Sequence, residues 1–163
     1  MSIWTPCIVA LGSNLGNSRT TLENAIAELN QQPQIKVIKR SICYETAPVG
    51  GPQQPNYLNS CVCLETALSP LELLAMLLSI EGKFGRVRQE KWGPRTLDLD
   101  LIFFGDRIIN DPQLRVPHPR YRERGFVLVP LAEIAPNWRD PSTGDKISEL
   151  IDRVDISTVF ACS

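Results

Sequence analysis

The sequence contains the alternating stretch Thr96-Leu97-Asp98-Leu99-Asp100-Leu101-Ile102-Phe103. Because successive side chains of a strand point to opposite faces, the apolar residues at odd positions are predicted to share one face and to form core: Leu97, Leu99, Leu101 and Phe103. Asp98 and Asp100 then share the other face, with Cα atoms about 6.6 Å apart. Unit charges at that distance repel by about 2–3 kcal/mol at an effective dielectric of about 20. A divalent cation between the carboxylates would explain the pair, and a solvated strand face is the alternative.

Apolar runs elsewhere predict the other strands of one sheet. They lie at residues 7–11, 35–46 and 57–66, and the strand quoted above spans 96–104. Residues 47–56 contain three prolines and two glycines, which is typical of a loop. Since this loop contains no helix, the strands on either side of it are expected to pair antiparallel.

Helices are predicted between these strands. Residues 20–29 have helical spacing, with Thr20 and Glu23 suited to a capping box, and Ser69 and Glu72 begin a second helix that runs to about Phe84. Short helices are also predicted at 127–134 and 147–154. The resulting order is β-α-β-β-α-β, which predicts a ferredoxin-like α+β fold with a mainly antiparallel sheet and helices packed on it.

Composition excludes several classes of protein. The 163 residues are 43% hydrophobic and predict one domain, residues 1–163, rather than a disordered chain or a coiled coil. A net charge of −1 argues against a protein that binds nucleic acid through bulk positive charge. No apolar run reaches the ~18 residues of a membrane span, so no membrane partner is expected. The single histidine, His118, excludes zinc sites built on several histidines.

Two of the five cysteines, Cys61 and Cys63, allow two interpretations. Cys61 and Cys63 would point to one face of a strand, where they could bind a metal or pack as small apolar side chains in a reducing compartment. The cysteine count is odd and no secretory signal pattern opens the sequence, so we expect a cytoplasmic protein.

Positive charge is concentrated on both sides of the acidic pair. Two ten-residue windows, 86–95 and 115–124, hold eight of the 17 basic residues: Arg86, Arg88, Lys91, Arg95, Arg115, Arg120, Arg122 and Arg124. Guanidinium groups beside a metal-binding carboxylate pair suit a polyphosphate ligand, although they could also form a salt-bridged surface. Neither a P-loop nor a G-x-G-x-x-G turn is present, so any ATP site is of another kind.

Several motifs, in order, resemble the 6-hydroxymethyl-7,8-dihydropterin pyrophosphokinase family of folate biosynthesis. The most specific is Lys91-Trp92-Gly93-Pro94-Arg95-Thr96-Leu97-Asp98-Leu99-Asp100. The others are Ala10-Leu11-Gly12-Ser13-Asn14, Tyr44-Glu45-Thr46-Ala47-Pro48, Gln54-Pro55-Asn56-Tyr57-Leu58-Asn59, Gly85-Arg86-Val87-Arg88, Val116-Pro117-His118-Pro119-Arg120 and Arg124-Gly125-Phe126. Only about the last ten residues have no counterpart.

This resemblance implies a reaction and its catalytic residues. The family transfers pyrophosphate from ATP to the hydroxymethyl group of the dihydropterin and releases AMP. By resemblance, Asp98 and Asp100 hold two Mg²⁺ ions, while Arg86 and Arg95 stabilise charge on the phosphates. The loop from Arg86 to Trp92 is expected to close over ATP and exclude water.

The remaining site residues also follow from the resemblance. ATP is expected to contact Glu81, Arg86, Arg88, Trp92, Arg95, Leu101, Arg115, His118 and Arg124. The pterin is expected to contact Thr46, Val49, Tyr57, Asn59, Trp92, Asp98 and Phe126, with Tyr57 and Phe126 stacking on its ring. The partners implied are these two small molecules, no nucleic acid and no membrane, for a monomeric enzyme.

Two other functions fit parts of the pattern. One is a different metal-dependent phosphoryl or nucleotidyl transferase, which would turn over ATP without a pterin. The other is an RNA-binding ferredoxin-like module, which requires exposed aromatic and basic residues on the sheet face. Asp98 and Asp100 occupy that face and would repel RNA, so the sequence favours the enzyme.

Overall fold

A computed structural model describes residues 3–47, 54–84 and 96–162 of the chain. The predicted β-α-β-β-α-β order is confirmed, except that the second predicted strand is divided in two. Its five strands and two helices are β1 (Thr5–Ser13), α1 (Ser18–Gln31), β2 (Ile35–Arg40), β3 (Tyr44–Thr46), β4 (Tyr57–Thr66), α2 (Pro70–Lys83) and β5 (Asp98–Phe104). In the sheet, β1 lies between β5 and β4, and both β2 and β3 pair with the far edge of β4. All these pairings are antiparallel, as predicted.

Smaller elements follow the fifth strand. They are β6 (Ile109–Asn110), β7 (Arg115–Val116), a 3₁₀ turn at Tyr121–Glu123, α3 (Gly125–Ile134), α4 (Ile147–Leu150), a 3₁₀ turn at Ile151–Arg153 and β8 (Phe160–Ala161). β6 and β7 form a separate antiparallel pair, and β8 pairs with β3. No helix in the described ranges is long and apolar enough to span a membrane.

The sheet separates two apolar cores. On one face, Val9 and Leu11 of β1 pack with Leu99 and Leu101 of β5 under α1 and α2. On the other face, Ile8 and Ala10 contribute to a core with α3 and α4. The helices α3 and α4 follow β5 in the chain, so the ferredoxin-like unit has one helical layer of its own and gains a second from its C-terminal third.

The strand predicted at 35–46 is two strands, and Ser41 explains the break. The Ser41 backbone N–H donates to the Cys61 carbonyl at 2.9 Å, while its hydroxyl accepts from the Cys61 backbone N–H at 3.0 Å. That hydroxyl takes the place of a backbone carbonyl in the ladder, so regular pairing stops and resumes at Tyr44.

Of the two predicted capping boxes, one is present in the structure and one is not. The Ser69–Glu72 capping box of α2 is confirmed: Glu72 N–H donates to Ser69 Oγ, and Ser69 N–H donates to Glu72 Oε1. The capping box predicted at Thr20 is wrong, because Asn17 caps α1 by accepting from the Thr20 backbone N–H at 3.2 Å. Glu23 instead forms an ion pair with Arg40 of β2.

In β5, the Phe103 side chain points to the face opposite to the predicted one. Leu97, Leu99 and Leu101 face the core under α1 and α2, but Phe103 lies in the other core. The pairing with β1 skips one residue, since Ile8 faces Phe103 and Val9 faces Leu101. The extra residue, Ile102, forms a bulge and reverses the alternation beyond it. Phe103 therefore packs edge-on to Tyr121, with ring centroids 5.0 Å apart.

Candidate active site

The two aspartates lie at the open end of the sheet, before the bulge. In the strand register Asp98 faces Gly12 of β1, which faces Asn59 of β4, and Asp100 faces Ala10. Directly opposed residues of antiparallel strands point to the same face, so Asp98, Asp100 and Asn59 share the α3 side of the sheet. Asp98 and Asp100 are both partly exposed. Gly12 leaves the floor between Asp98 and Asn59 open, since a Cβ there would lie 3.2 Å from Asn59 Oδ1.

Arg124 brings a positive charge to the aspartates from the N-cap of α3. Burial lowers its pKa most and Arg120 lowers it further, whereas Asp100, Glu123 and Asp98 act to raise it. Both aspartates are therefore within electrostatic reach of this guanidinium. Its Cζ also lies 5.7 Å from the centroid of the Phe126 ring, so the cation stands beside an aromatic face.

His118 lies next to this cationic group in a neutral state. Its backbone N–H donates to the Ile102 carbonyl at 3.0 Å, which ties it to the strand just beyond Asp100. Burial, followed by the charges of Arg124 and Arg120, lowers the pKa of His118 to about 4. Its Nδ1 accepts from the Arg120 backbone N–H at 3.1 Å, so the ring proton of the neutral form is assigned to Nε2, which is a donor.

A polar pair and two aromatic rings lie beside the aspartates on the same side of the sheet. Asn59 Nδ2 donates to Thr46 Oγ1 at 3.0 Å, and both side chains are buried. Tyr57 faces Thr46 across β3 and β4 and is partly exposed. Phe126, in the first turn of α3, packs against the core of that side. Hydrogen-bonding groups flanked by rings can bind a flat heterocycle.

Glu81 supports the acidic strand from the opposite face. It lies near the end of α2, is only 4% exposed, and its Oε2 accepts the Leu99 backbone N–H at 2.7 Å. Leu99 stands between the two aspartates, so this bond fixes the backbone that carries them. Contact between Glu81 and ATP stays a prediction.

Two buried polar residues shape the site, and the sequence analysis assigned neither a role. Asn14 Nδ2 donates to Gln54 Oε1 at 2.8 Å and to the Pro55 carbonyl at 3.0 Å, which anchors the segment leading to Tyr57. Asp140 is fully buried and accepts from Tyr121, Arg122 and Ser142. The signal in each case is a polar residue in a turn, which does not reveal a distant partner.

The Asp140 cluster shows that one of the basic residues predicted to surround the aspartates, Arg122, has another partner. Arg122 was counted with the cations around the acidic pair, but its guanidinium pairs with Asp140. Burial acts to raise the pKa of Asp140, while hydrogen bonds from Ser142 and Tyr121 and the charge of Arg122 outweigh it and lower the pKa. This cluster fixes the 3₁₀ turn between Arg120 and Arg124.

The other predicted residues are less closely connected to this face. The Leu101 side chain lies in the core under α1 and α2, so only its backbone can meet a ligand on the site face. Arg115 is exposed on β7. Several predicted residues lie outside the described ranges: Val49, Arg86, Arg88, Lys91, Trp92 and Arg95. Within the described ranges, no group of three or more His, Cys, Asp or Glu residues is arranged to hold a metal ion by itself.

Comparisons with known proteins identify one family. The family described as 7,8-dihydro-6-hydroxymethylpterin-pyrophosphokinase (HPPK) matches residues 8–136. The 2-amino-4-hydroxy-6-hydroxymethyldihydropteridine pyrophosphokinase of Synechocystis sp. is 54% identical over 94% of this chain and 78% of its own length. The protein of that name from Bacillus subtilis is 50% identical over 77% of this chain and 75% of its own length.

A solved structure supports the fold. The crystal structure of Plasmodium falciparum HPPK-DHPS with pteroate matches 94% of this chain with a TM-score of 0.74. At 16% identity this likeness concerns the fold alone, and the present chain spans 43% of that longer chain.

Proposed function

This chain belongs to the 7,8-dihydro-6-hydroxymethylpterin-pyrophosphokinase family, and we infer that it catalyses the reaction of that family in folate biosynthesis. It transfers pyrophosphate from ATP to the hydroxymethyl group of 6-hydroxymethyl-7,8-dihydropterin, giving AMP and the pterin diphosphate. The observation that carries this assignment to particular residues is the shared face of Asp98, Asp100 and Asn59, with Arg124 beside the aspartates.

The donor set at the aspartates fits magnesium. Both groups offer only oxygen, and Mg²⁺ typically takes one or two carboxylates and completes its shell with water and substrate phosphates. This coordination preference fits a site in which the described residues supply no third protein ligand. Asp98 and Asp100 would hold two Mg²⁺ ions, which would neutralise charge on the ATP phosphates and help to align the acceptor hydroxyl.

Donors on one side of the aspartates would receive the phosphates. The Arg124 guanidinium and the Nε2–H of His118 would donate to phosphate oxygens, and the neutral imidazole adds a donor without repelling Arg124. From the family resemblance we assign the rest of the ATP site to Glu81, Arg86, Arg88, Trp92, Arg95, Leu101 and Arg115. Of these, Arg86 and Arg95 would stabilise charge on the transferred group.

The pterin would lie on the Gly12 side of the aspartates. Asn59 and Thr46 would read its polar edge, and the rings of Tyr57 and Phe126 would stack on its faces. Val49 and Trp92 would complete this pocket by resemblance. The pterin hydroxymethyl group would then lie toward Asp98, which faces Gly12 in the strand register. This order brings acceptor and phosphates together, and positioning of reactants supplies much of the catalysis in phosphoryl transfer.

An AMP-release assay tests the assignment. AMP should form only when ATP, the dihydropterin and Mg²⁺ are all present, and a chelator should abolish its formation. Asp98→Asn and Asp100→Asn should each lower kcat by more than 100-fold, whereas Asp106→Asn, an exposed aspartate just after β5, should match the wild type. AMP release without the pterin would favour the other transferase, and near-normal turnover by Asp98→Asn would refute the metal assignment.

We also propose that the chain is a single domain that acts as a monomer. Light scattering on the purified protein should give a mass near 18.2 kDa. A dimer mass would contradict this part of the proposal and leave the reaction assignment unchanged.

A further inference from the structure

The C-terminal strand β8 places two cysteines opposite each other at the end of β3. β8 pairs antiparallel with β3, with Tyr44 facing Ala161 and Glu45 facing Phe160. Continuing this register sets Cys43 opposite Cys162, and the Cys162 backbone N–H donates to the Cys43 carbonyl at 2.9 Å. The pair therefore lies at the end of a short ladder formed by residues 119 apart in the chain.

The two thiols are also in contact. Their Sγ atoms are 2.7 Å apart, and both side chains are only partly buried. Directly opposed residues of antiparallel strands have Cα atoms about 4.5–5.5 Å apart, which lies within the range that disulfides span. Among the three other cysteines, Cys7 and Cys61 are buried in the cores.

We propose that Cys43 and Cys162 form a reversible disulfide that fastens the C-terminal strand to β3. The oxidant is a small-molecule disulfide such as oxidised glutathione. The Cys162 thiolate attacks one sulfur of the oxidant, forming a mixed disulfide and releasing one glutathione thiolate. The Cys43 sulfur, as it loses its proton, then displaces the second glutathione. Two protein thiols are oxidised and one glutathione disulfide is reduced to two thiols.

Cys162 is assigned the first attack because of the surroundings of Cys43. Burial, followed by contact with Cys162, raises the pKa of the Cys43 thiol to about 12. Since the thiolate is the attacking form, this environment makes Cys43 a poor first nucleophile. Cys43 resolves the mixed disulfide because its Sγ is held 2.7 Å from that of Cys162.

The bond would fix an element that belongs to the candidate site. β3 carries Thr46, whose hydroxyl accepts from Asn59, and Tyr44, whose hydroxyl donates to Glu133 of α3 at 2.7 Å. A disulfide across such a long chain separation restricts the unfolded chain strongly. We therefore expect the midpoint of thermal unfolding to rise by about 5–10 °C on oxidation.

The full-length protein, incubated in its folded state with oxidised glutathione and then alkylated, provides the test. Peptide mass spectrometry should show one species linking Cys43 to Cys162, with three thiols left to alkylate out of five. Dithiothreitol should reverse both the link and the rise in melting temperature. Cys162→Ser and Cys43→Ser should lose both effects, and Cys63→Ser, a partly buried cysteine of β4, should keep them.

Three results would overturn the proposal. They are a stable glutathione adduct on Cys162, linkage of other cysteines in place of this pair, and an equal rise in melting temperature in Cys162→Ser. Each variant is also melted in the reduced state, where a midpoint near that of the reduced wild type shows that the fold is intact. None of these results depends on catalytic activity, so the inference can fail while the proposed function stands.

Discussion

Replacement of Glu81 by alanine should lower both the stability and the activity of the enzyme. The Glu81 carboxylate accepts the Leu99 backbone N–H at 2.7 Å, and both residues are at most 5% exposed. Loss of that acceptor would leave a buried donor unsatisfied, which costs about 1–3 kcal/mol. The one buried methylene that is lost, Cγ, would add about 1 kcal/mol. We therefore expect Glu81→Ala to lower the free energy of unfolding by about 2–4 kcal/mol.

The isosteric variant separates the hydrogen bond from the charge. Glu81→Gln keeps a carbonyl oxygen at the same length and should retain the Leu99 bond in its neutral form, at a cost of about 1 kcal/mol. Since Leu99 lies between the aspartates, Glu81→Ala should also lower kcat by about tenfold or more and require more Mg²⁺ for half-maximal rate, whereas Glu81→Gln should stay close to the wild type.

Urea unfolding and the AMP-release assay would measure both effects. The control is Glu28→Gln, which removes an ion pair between α1 and Lys83 at the surface and should cost less than about 1 kcal/mol. Wild-type stability in Glu81→Ala would refute the argument that this bond supports the strand. Equal losses in the alanine and glutamine variants would show that the charge of Glu81, rather than its acceptor oxygen, is what matters.

Other residues give sharper tests of single contacts. His118 is the chain's single histidine, so its ring resonances need no assignment, and they should titrate near pH 4; a midpoint near 6.5 would contradict its burial beside Arg124. Because that pKa is lower in the folded state, stability should rise between about pH 4 and 6.5, by about 1–3 kcal/mol after allowance for solvent screening, and His118→Gln should flatten this rise in unfolding measurements. Asp140→Ala should lower stability by about 2–4 kcal/mol, since Arg122 loses its buried partner, and should raise the KM for ATP; unchanged urea melts would show that the cluster contributes nothing. Asn59→Ala should raise the KM for the pterin at least tenfold while the KM for ATP stays within about twofold, and equal changes for both substrates would argue against its place at the pterin edge.

Features that depend on residues close in the sequence could be predicted, whereas features that depend on tertiary contacts could not. The Ser69–Glu72 box and the alternation from Leu97 to Leu101 depend on neighbours within a few residues, and the structure confirms both. The bulge at Ile102 depends on the pairing with β1, so alternation alone placed Phe103 on the wrong face. Asn17, rather than Thr20, is the N-cap because α1 begins at Ser18, two residues earlier than the periodicity predicted.

The same distinction between local and tertiary features applies to the candidate site. The aspartate pair is a feature of one strand, and its common face follows from the two-residue period. Leu99, the partner of Glu81, lies 18 residues away, and Tyr121, one partner of Asp140, lies 19 residues away; both are on other elements, and no spacing rule connects them. Motif resemblance supplied Asn59, Thr46 and Phe126, whereas the sheet register was needed to place Asn59 and Thr46, and the packing of α3 to place Phe126.

The bulge at Ile102 also constrains how this gene can drift. Deletion of that one codon would leave Leu101, Phe103 and Phe104 in simple alternation opposite Val9, Ile8 and Cys7, so Phe103 would keep its place beside Tyr121. The loss would be the buried Ile102 side chain, and the acidic end of the strand would keep its orientation. The bulge is therefore the point in the pairing of β1 and β5 where one residue can be lost without turning either end of β5 over.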